Sequence, residues 1–225
     1  MRTPMLGRMR SYGQYCGLAK ALDVVGDRWT LLIVRELLIL GHARYTDLQR
    51  GLPGIATNLL ADRLRELEEA GLVARVDAPP PVATALFRLT PRGQELEPAV
   101  VALGRWAGPL MGEPGADEEF RNHWLALPVK LFLADSTPER RPVSIEVRIG
   151  DEPMVIETTG GSLRVRPGSV EKPDAVVAGG PHLVLGFLTG RLPLASARAR
   201  GLSFKGSLAA VRRLRPKDPE GTPGA

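Results

Sequence analysis

The stretch that decides the fold of this chain runs from Gly54 to Leu72 and reads GIATNLLADRLRELEEAGL. Leucines recur along it at helical spacing, and three of them share one side of the helix: Leu60, Leu64 and Leu67. Four polar residues occupy the opposite side: Asn58, Asp62, Arg65 and Glu69. The pattern predicts an amphipathic helix over 57–70, with Gly71 at the position just beyond its last turn.

Helical patterns precede this stretch and a hairpin pattern follows it. Three upstream helices are predicted, over 16–25, 28–40 and 47–50. Asp27 and Thr46 are the predicted N-caps of the second and third, and Gly41 ends the second. Two short strands are predicted downstream, over 72–76 and 86–89. Thr90 and Pro91 then open a helix that reaches the region of 106–110. A short helix, a turn, a longer helix and a hairpin form the winged helix-turn-helix arrangement.

Three blocks of the sequence resemble the HxlR-type bacterial transcription regulators. They are YCGLAKALDVVGDRWT over 15–30, the stretch over 54–72, and LTPRG over 89–93. The resemblance covers residues 15 to about 110, and the blocks stand in the family's order. It implies a winged-helix homodimer that binds double-stranded DNA at a palindromic or near-palindromic operator. Our own expectation is a repressor, although the sequence does not separate repression from activation.

The N-terminal part of a recognition helix meets base edges in the major groove. Asparagine pairs with adenine and arginine with guanine, while threonine reaches phosphate or a thymine methyl group. The candidate DNA-binding residues are Thr46, Thr57, Asn58, Ala61, Asp62, Arg63, Arg65, Arg75 and Arg88. The alternative is that the polar side of the 57–70 helix is only a solvated face. The wing tip over 79–84, PPPVAT, has no charge where many family members carry Lys or Arg.

The family resemblance places the dimer interface on the N-terminal segment and on the helix after the wing. The candidate interface residues are Tyr12, Tyr15, Leu18, Leu22, Leu96, Val100, Leu103 and Trp106. The alternative is that these apolar side chains cover the core of their own domain.

Glycine and proline cluster over 112–117, GEPGAD, and mark a connection between two domains. We predict a DNA-binding and dimerisation domain over 1–112, a second domain over 118–215 and a disordered tail over 216–225. The stretch over 143–149 alternates strictly and predicts a strand with one buried face. Strands and helices mix after it, so the predicted fold class is α+β.

The second half resembles sterol carrier protein-2-like (SCP2-like) domains. The resemblance is carried by KPDAVV over 172–177, GRLPL over 190–194 and RGLSFKGS over 200–207. Such domains enclose an apolar tunnel, so the resemblance implies a lipophilic small-molecule effector. The candidate effector-binding residues are Trp124, Leu127, Leu131, Phe132, Val155, Leu185, Phe187, Leu188 and Phe204. Plain core packing is the alternative for each of them.

Composition narrows the class of protein further. The chain has 225 residues with a net charge of +5, which permits an anionic partner. None of the common nucleotide-binding, hydrolase or zinc-protease motifs occurs, so we expect no enzyme and no cofactor. The three histidines lie far apart in sequence, and we expect no metal site. No apolar run is long enough for a membrane span and no secretory signal is evident, so a cytoplasmic protein without membrane contact is expected.

Cys16 is the only cysteine in the sequence. Some HxlR-type regulators carry a redox-sensing cysteine at this position, and Lys20 lies one turn further on. The alternative is a small core residue. Three function hypotheses therefore stay open: a regulator with a lipophilic effector, a lipophile-binding or carrier module without sequence-specific DNA binding, and a thiol-based redox sensor using Cys16.

Overall fold

A computed structural model describes residues 11–77, 85–115, 117–150 and 152–216, without the side chain of Leu131. The chain forms two compact units that divide between Ala107 and Gly108. Both units combine helices with strands, so the predicted α+β class is confirmed. The predicted wing tip over 79–84 and residues 217–225 of the predicted tail lie outside the described residues.

The first unit is a winged helix-turn-helix. Its elements are α1 Gly17–Val25, α2 Thr30–Leu40, β1 His42–Arg44, α3 Tyr45–Gly51, α4 Thr57–Glu69, β2 Val73–Asp77, β3 Ala85–Leu89, α5 Pro91–Gln94 and α6 Glu97–Ala107. The strands form an antiparallel sheet in the order β1-β3-β2. The sequence did not predict β1, because three residues between two helices are too few to show a period.

The leucine stripe of α4 holds the first unit together. Leu60, Leu64 and Leu67 are 0%, 2% and 2% exposed and join a core cluster with Leu37 of α2 and Phe87 of β3. Because each leucine is fully packed, truncating one to alanine costs about 2–5 kcal/mol.

A glycine cap ends α4 where the sequence predicted it. Gly71 has φ +71°, and the N–H of Leu72 donates to the carbonyl of Leu67 at 2.9 Å. Since this left-handed conformation strains any residue with a Cβ, the position favours glycine. The chain turns there directly into β2.

The predicted N-cap of α2 is wrong. The helix begins at Thr30 because Trp29 adopts φ +81°, a left-handed conformation that a helix cannot continue. The carboxylate of Asp27 accepts a hydrogen bond from Arg63 of α4 instead, at 2.7 Å. The turn before α2 is therefore tied to the recognition helix.

The predicted N-cap of α3 is also wrong. The helix begins at Tyr45, so Thr46 lies inside its first turn. Asp47 Oδ2 accepts a hydrogen bond from the N–H of Arg44 at 3.0 Å, which satisfies one donor at the helix start.

The helix predicted after the wing is divided into α5 and α6. Thr90 caps α5 as expected, because its Oγ1 accepts a hydrogen bond from the N–H of Gly93 at 3.1 Å. Pro98 lies in the first turn of α6. Since proline has no N–H to donate to the carbonyl four residues back, it interrupts a continuous helix but is tolerated in a first turn, and a new helix starts here.

The second unit is a five-stranded sheet with helices. Its elements are α7 Ala126–Phe132, β4 Leu133–Asp135, β5 Ser144–Arg148, β6 Pro153–Thr159, β7 Ser162–Pro167, β8 Ala175–Ala178, α8 Pro181–Leu188, α9 Leu194–Ala199, β9 Ser203–Gly206, α10 Leu208–Arg212 and β10 Leu214–Pro216, with 3-10 turns at Gly108–Leu110 and Asn122–Leu125. The order is β7-β6-β5-β8-β9, with β5 and β8 parallel, and β4 pairs with β10. Pro216, the first residue of the predicted tail, ends β10.

One sheet face of the second unit departs from the predicted pattern. Ile145 and Val147 of β5 join the core cluster, and Glu146 between them points to the other face. Glu146 is nevertheless only 1% exposed. Its carboxylate accepts hydrogen bonds from the N–H of Val170 at 3.2 Å and from Arg148 at 2.7 Å. The connection from β7 to β8 thus reaches this face, and the prediction of one solvated face is wrong here.

A buried ion pair joins β4 to the segment before β10. Arg213 donates to both carboxylate oxygens of Asp135, at 3.1 and 2.7 Å, and is 7% exposed. Its guanidinium also donates to the carbonyls of Thr137 and Arg141. The Arg213 guanidinium holds the pKa of Asp135 below its ordinary value, and burial only partly opposes this.

Candidate nucleic-acid interface

A buried carboxylate positions α3 against α2. Glu36 of α2 is 0% exposed, and Arg35 donates to its Oε1 through Nε at 3.0 Å and Nη2 at 2.7 Å. Arg35 also donates to the carbonyl of Gly51 at 3.3 Å. A Cβ added to Gly51 would overlap the Glu36 carboxylate, so the close approach of the helices requires glycine. This geometry holds the last residue of α3 against α2, ahead of the turn that leads to α4.

Two side chains of α3 hold the first residue of α4. Tyr45 Oη donates to the carbonyl of Thr57 at 2.5 Å, and Gln49 Nε2 donates to Thr57 Oγ1 at 3.0 Å. The N-cap of α4 is Ala56, which has no side-chain hydrogen bond to the helix. The N-terminal N–H groups of α4 are thus left without a side-chain acceptor from the N-cap, an arrangement that favours a phosphate oxygen.

The solvent face of α4, from its first residue to Arg65, presents most of the candidate DNA-binding residues together. Thr57, Asn58 and Ala61 are exposed, and the Arg65 side chain is 63% exposed. Arg65 Nη2 lies 2.6 Å from Asp62 Oδ1 in an exposed ion pair. Amide, methyl and guanidinium groups thus share one solvent face at helical spacing, which suits contacts with base edges. Thr46 is exposed on α3.

Arg63 is turned away from this face. Its side chain is 18% exposed, and its guanidinium contacts the carboxylates of Asp27 and Glu66. The structure therefore gives Arg63 a role in holding α4 to the turn before α2.

The two wing arginines lie on opposite faces of the sheet. Arg75 stands opposite Phe87, whose side chain is in the core, whereas Arg88 stands opposite Ala74 and His42. Since paired residues share a face and successive residues alternate, Arg75 and Arg88 point in opposite directions. Both are exposed.

The candidate dimer residues divide into two groups. The exposed group has exposures of 40–107% and comprises Tyr12, Tyr15, Leu18, Leu22, Leu103 and Trp106. Leu96 and Val100 instead pack against the first unit's core cluster. The N-terminal segment with α1, and the C-terminal half of α6, thus each leave large apolar side chains in solvent.

The candidate effector residues do not all line one cavity. Phe187 and Leu188 line an open groove of about 640 Å³ in the second unit. Phe204 meets Phe187 edge to face at 5.6 Å between ring centroids. Val155 is buried on the sheet face opposite that of its neighbours Met154 and Ile156, which join the core cluster.

Other candidate effector residues lie elsewhere in the second unit. Trp124 meets Phe120 edge to face at 6.1 Å, and Leu127 and Phe132 are half-buried on α7. Leu185 on α8 is half-buried against the core cluster. The Leu131 side chain lies outside the described part of the chain. The sequence did not predict the other apolar groove residues: Leu192, Leu194, Leu208, Val211 and Leu214.

The Cys16 thiol is exposed at the N-cap of α1. Hydrogen bonds from the backbone N–H groups of Ala19 and Leu18 lower the pKa of this thiol. Among the described residues no three His, Cys, Asp or Glu side chains gather as a metal site needs. No described helix combines the length and apolar content that crossing a membrane requires.

Helices α3 and α4 form a helix-turn-helix (HTH), and a three-stranded sheet packs with them. This arrangement defines a winged helix-turn-helix protein of the MarR-like type with a DNA-binding domain. The chain belongs to the HxlR-like helix-turn-helix family, whose model matches residues 24–113. It is 35% identical to YvaP, an HTH-type transcriptional regulator of Bacillus subtilis, over 39% of this chain and 81% of that protein. It is 39% identical to the HTH-type transcriptional regulator Rv3095 of Mycobacterium tuberculosis, over 47% of this chain.

The alignment with Rv3095 spans 66% of that protein's length. The reduced form of the transcriptional regulator YodB from Bacillus subtilis is a similar solved structure, with 30% identity, coverage of 45% of this chain and 99% of that one, and a TM-score of 0.38. These relatives match the first half of the chain and do not identify the second unit.

Proposed function

We propose that the protein is a dimeric transcriptional regulator, acting as a repressor at a near-palindromic operator, with a lipophilic small-molecule effector in its second unit. The observation that carries the proposal is the exposed N-terminal face of α4, held at Thr57 by Tyr45 and Gln49. In the first unit the leucines of α4 pack in the core, and the side chains proposed to contact bases are exposed on the opposite side of the helix. The relatives' names, all HTH-type transcriptional regulators, agree with it.

In the proposed complex α4 enters the major groove by its N-terminal end. Asn58 pairs with adenine and Arg65 with guanine, and the helix N-terminus meets a phosphate. Arg65 leaves Asp62 to do so, and because that ion pair is exposed its loss costs at most about 1 kcal/mol. The two α4 helices of a dimer then lie in successive major grooves, about 34–36 Å apart.

The second unit is proposed to regulate the equilibrium between operator-bound and free protein. Its open groove has apolar residues such as Phe187 and Leu188 in its lining beside polar and basic ones, Thr189, Arg212 and Arg215, and it offers space for a lipophilic ligand. A ligand shifts the operator equilibrium only by its difference in affinity for the DNA-bound and free states. An effector therefore has to bind one of these two states more tightly.

Fluorescence anisotropy on the intergenic DNA upstream of the protein's own gene tests DNA recognition. The control is the same DNA with its sequence shuffled, at two salt concentrations. We expect tighter binding to the intergenic DNA at both salts. Equal and salt-suppressed binding to both DNAs, and to the other intergenic regions around the gene, would contradict the proposal and favour a lipophile-binding or carrier module.

Two variants test the assignment of the reading face. Asn58→Ala and Arg65→Ala should each weaken operator binding by about 1–3 kcal/mol and leave binding to shuffled DNA nearly unchanged, because each removes a base contact. Glu69→Gln at the exposed far end of α4 is the matched control. Parent-like operator affinity in both alanine variants would remove Asn58 and Arg65 from the reading face.

A thiol-based sensor is the second candidate function. The observation that favours it is the exposed Cys16 thiol with a lowered pKa. Diamide treatment followed by a non-reducing gel and the anisotropy assay tests it. An unchanged monomer band together with unchanged DNA affinity would rule the sensor out.

A further inference from the structure

The outer face of the wing sheet carries a second set of basic side chains. Residues of β1, β2 and β3 alternate between the core and this face, and the outward set is His42, Arg44, Ala74, Val76, Leu86 and Arg88. His42 stands directly opposite Arg88, and Arg44 stands opposite Leu86 on the same pair of strands. We call His42, Arg44 and Arg88 the outer basic face; all three residues are exposed.

The charges of this face are not neutralised within the described residues. Among the described residues, no ion pair includes Arg44 or Arg88. Three other arginines of the same unit each contact a carboxylate: Arg35, Arg63 and Arg65. The carboxylate of Asp47, close by in α3, accepts from the backbone N–H of Arg44. No outward residue of the three strands, as far as they are described, is acidic. Within the part of the chain that the structure describes, the face therefore carries two guanidinium charges that no carboxylate pairs with.

The outer basic face begins beside the reading helix. Arg44 directly precedes Tyr45, whose hydroxyl bonds the carbonyl of Thr57 at the start of α4. Arg44, on the sheet surface, is thus the immediate chain neighbour of a residue that contacts the N-terminal end of α4, where the proposed complex places a phosphate. Because the phosphate backbones border the groove that α4 enters in the proposed complex, a long basic side chain that starts beside the helix N-terminus is placed to reach them.

We infer that the outer basic face binds the phosphate backbone of DNA flanking the base pairs read by α4. Arg44 and Arg88 supply guanidinium groups, which bind phosphate oxygens in two places at once, and His42 adds a ring N–H donor. This surface contributes affinity and orientation without sequence preference. The inference rests on the proposed DNA-binding function and adds to it residues on β1, a strand that the sequence did not predict.

The salt dependence of DNA binding tests this surface. The full-length parent, Arg44→Gln and Arg88→Gln are titrated with a duplex of about 40 base pairs, enough for two half-sites with flanks. One duplex is the upstream intergenic DNA and the other its shuffled sequence. Each variant should weaken binding to both by the same factor. The slope of log K against log salt should fall by about 0.9 for each phosphate that the substituted side chain no longer neutralises.

Two further variants make the result specific. Arg164→Gln removes an exposed arginine from β7 in the second unit and should retain the parent slope. Arg88→Lys keeps the positive charge and should retain most of the parent's salt-dependence slope. Circular dichroism melting checks that each variant is folded.

Parent-like slopes and affinities in Arg44→Gln and Arg88→Gln would overturn the inference and leave the face to a different partner. The failure of the proposed function looks different: the parent itself would not distinguish the two duplexes. In that case the slopes on shuffled DNA still report whether the outer basic face contacts phosphate.

Discussion

The Cys16 thiol shows how a single residue acquires chemistry from its position in an element. It lies at the N-cap of α1, where the N–H groups of Ala19 and Leu18 stabilise the thiolate and lower the pKa. Lys20, one turn further on, lies 3.8 Å from Asp23, and the backbone donors rather than the lysine charge lower the pKa of the thiol.

The lowered pKa predicts a shifted pH profile for thiol modification. Since the thiolate is the reactive form, the rate of reaction with a disulfide reagent should reach half its maximum at a lower pH than that of a free peptide thiol. Stopped-flow absorbance from about pH 6 to 10 measures it, a range that brackets an ordinary thiol. Leu18→Pro removes one of the two backbone N–H donors at a position where the first helical turn tolerates proline, and it should move the midpoint back towards the ordinary thiol range. A midpoint for the parent at or above that of the peptide would contradict the assignment.

At the scale of the element, the ion pair of Asp135 and Arg213 joins β4 to the last helix and strand. Arg213→Met leaves Asp135 buried without its partner and should destabilise the second unit by about 3–5 kcal/mol. Hydrogen exchange of the backbone amides of residues 133–135, 214 and 215 in the full chain measures the loss. Arg200→Gln, which removes an exposed pair with Glu113, is the control and should cost at most about 1 kcal/mol.

The same pair predicts a pH dependence. Because the pKa of Asp135 is lowered in the folded chain, its stabilisation is complete above the pKa of an unfolded Asp and is lost as the pH falls through the folded value. Protection of β4 and β10 should therefore decline in acid more steeply in the parent than in Asp135→Asn. Parallel acid profiles for the two proteins would show that other carboxylates dominate.

The α3–α4 pair shows how one element prepares another. Tyr45 and Gln49, one helical turn apart, both bond Thr57, and Gly51 admits the carboxylate of Glu36. Tyr45, Gln49 and Gly51 are not proposed DNA contacts, yet they position α3 and the start of α4. Positioning of this kind depends on contacts between helices, which helical periodicity does not contain.

At the scale of the whole molecule, the exposed apolar side chains of α1 and α6 support a dimer. Leu18 and Trp106 are 69% and 75% exposed, and large apolar side chains left in solvent on both helices favour burial against a second copy of the chain. Leu18→Glu and Trp106→Glu should each shift the protein to a monomer in light scattering and weaken operator binding, because only a dimer engages two half-sites.

The control for these variants is Leu40→Glu, at the exposed end of α2. It should leave the mass and the operator affinity near those of the parent. A protein that is monomeric before any substitution, or that stays dimeric with both charges introduced, would contradict the assigned interface.

The sequence by itself determined the helix-turn-helix, the hairpin and the α+β character of the second half. It could do so because amphipathic periodicity, the glycine at 71 and the Thr90 cap are local signals that the structure obeys. Helical spacing, which is also a local signal, predicted that Thr57, Asn58, Ala61 and Arg65 share one face of the helix.

Only the tertiary structure decided which polar side chains face inward. Arg63 has the same local signature as Arg65, yet Asp27, 36 residues away, binds it. Glu146 follows the pattern of a solvated strand residue but is covered by a connection from a distant strand. Strand pairing likewise placed Arg75 and Arg88 on opposite faces and Arg88 beside His42. The physical reason is that these outcomes depend on contacts between residues far apart in sequence, whose partners a local pattern does not identify.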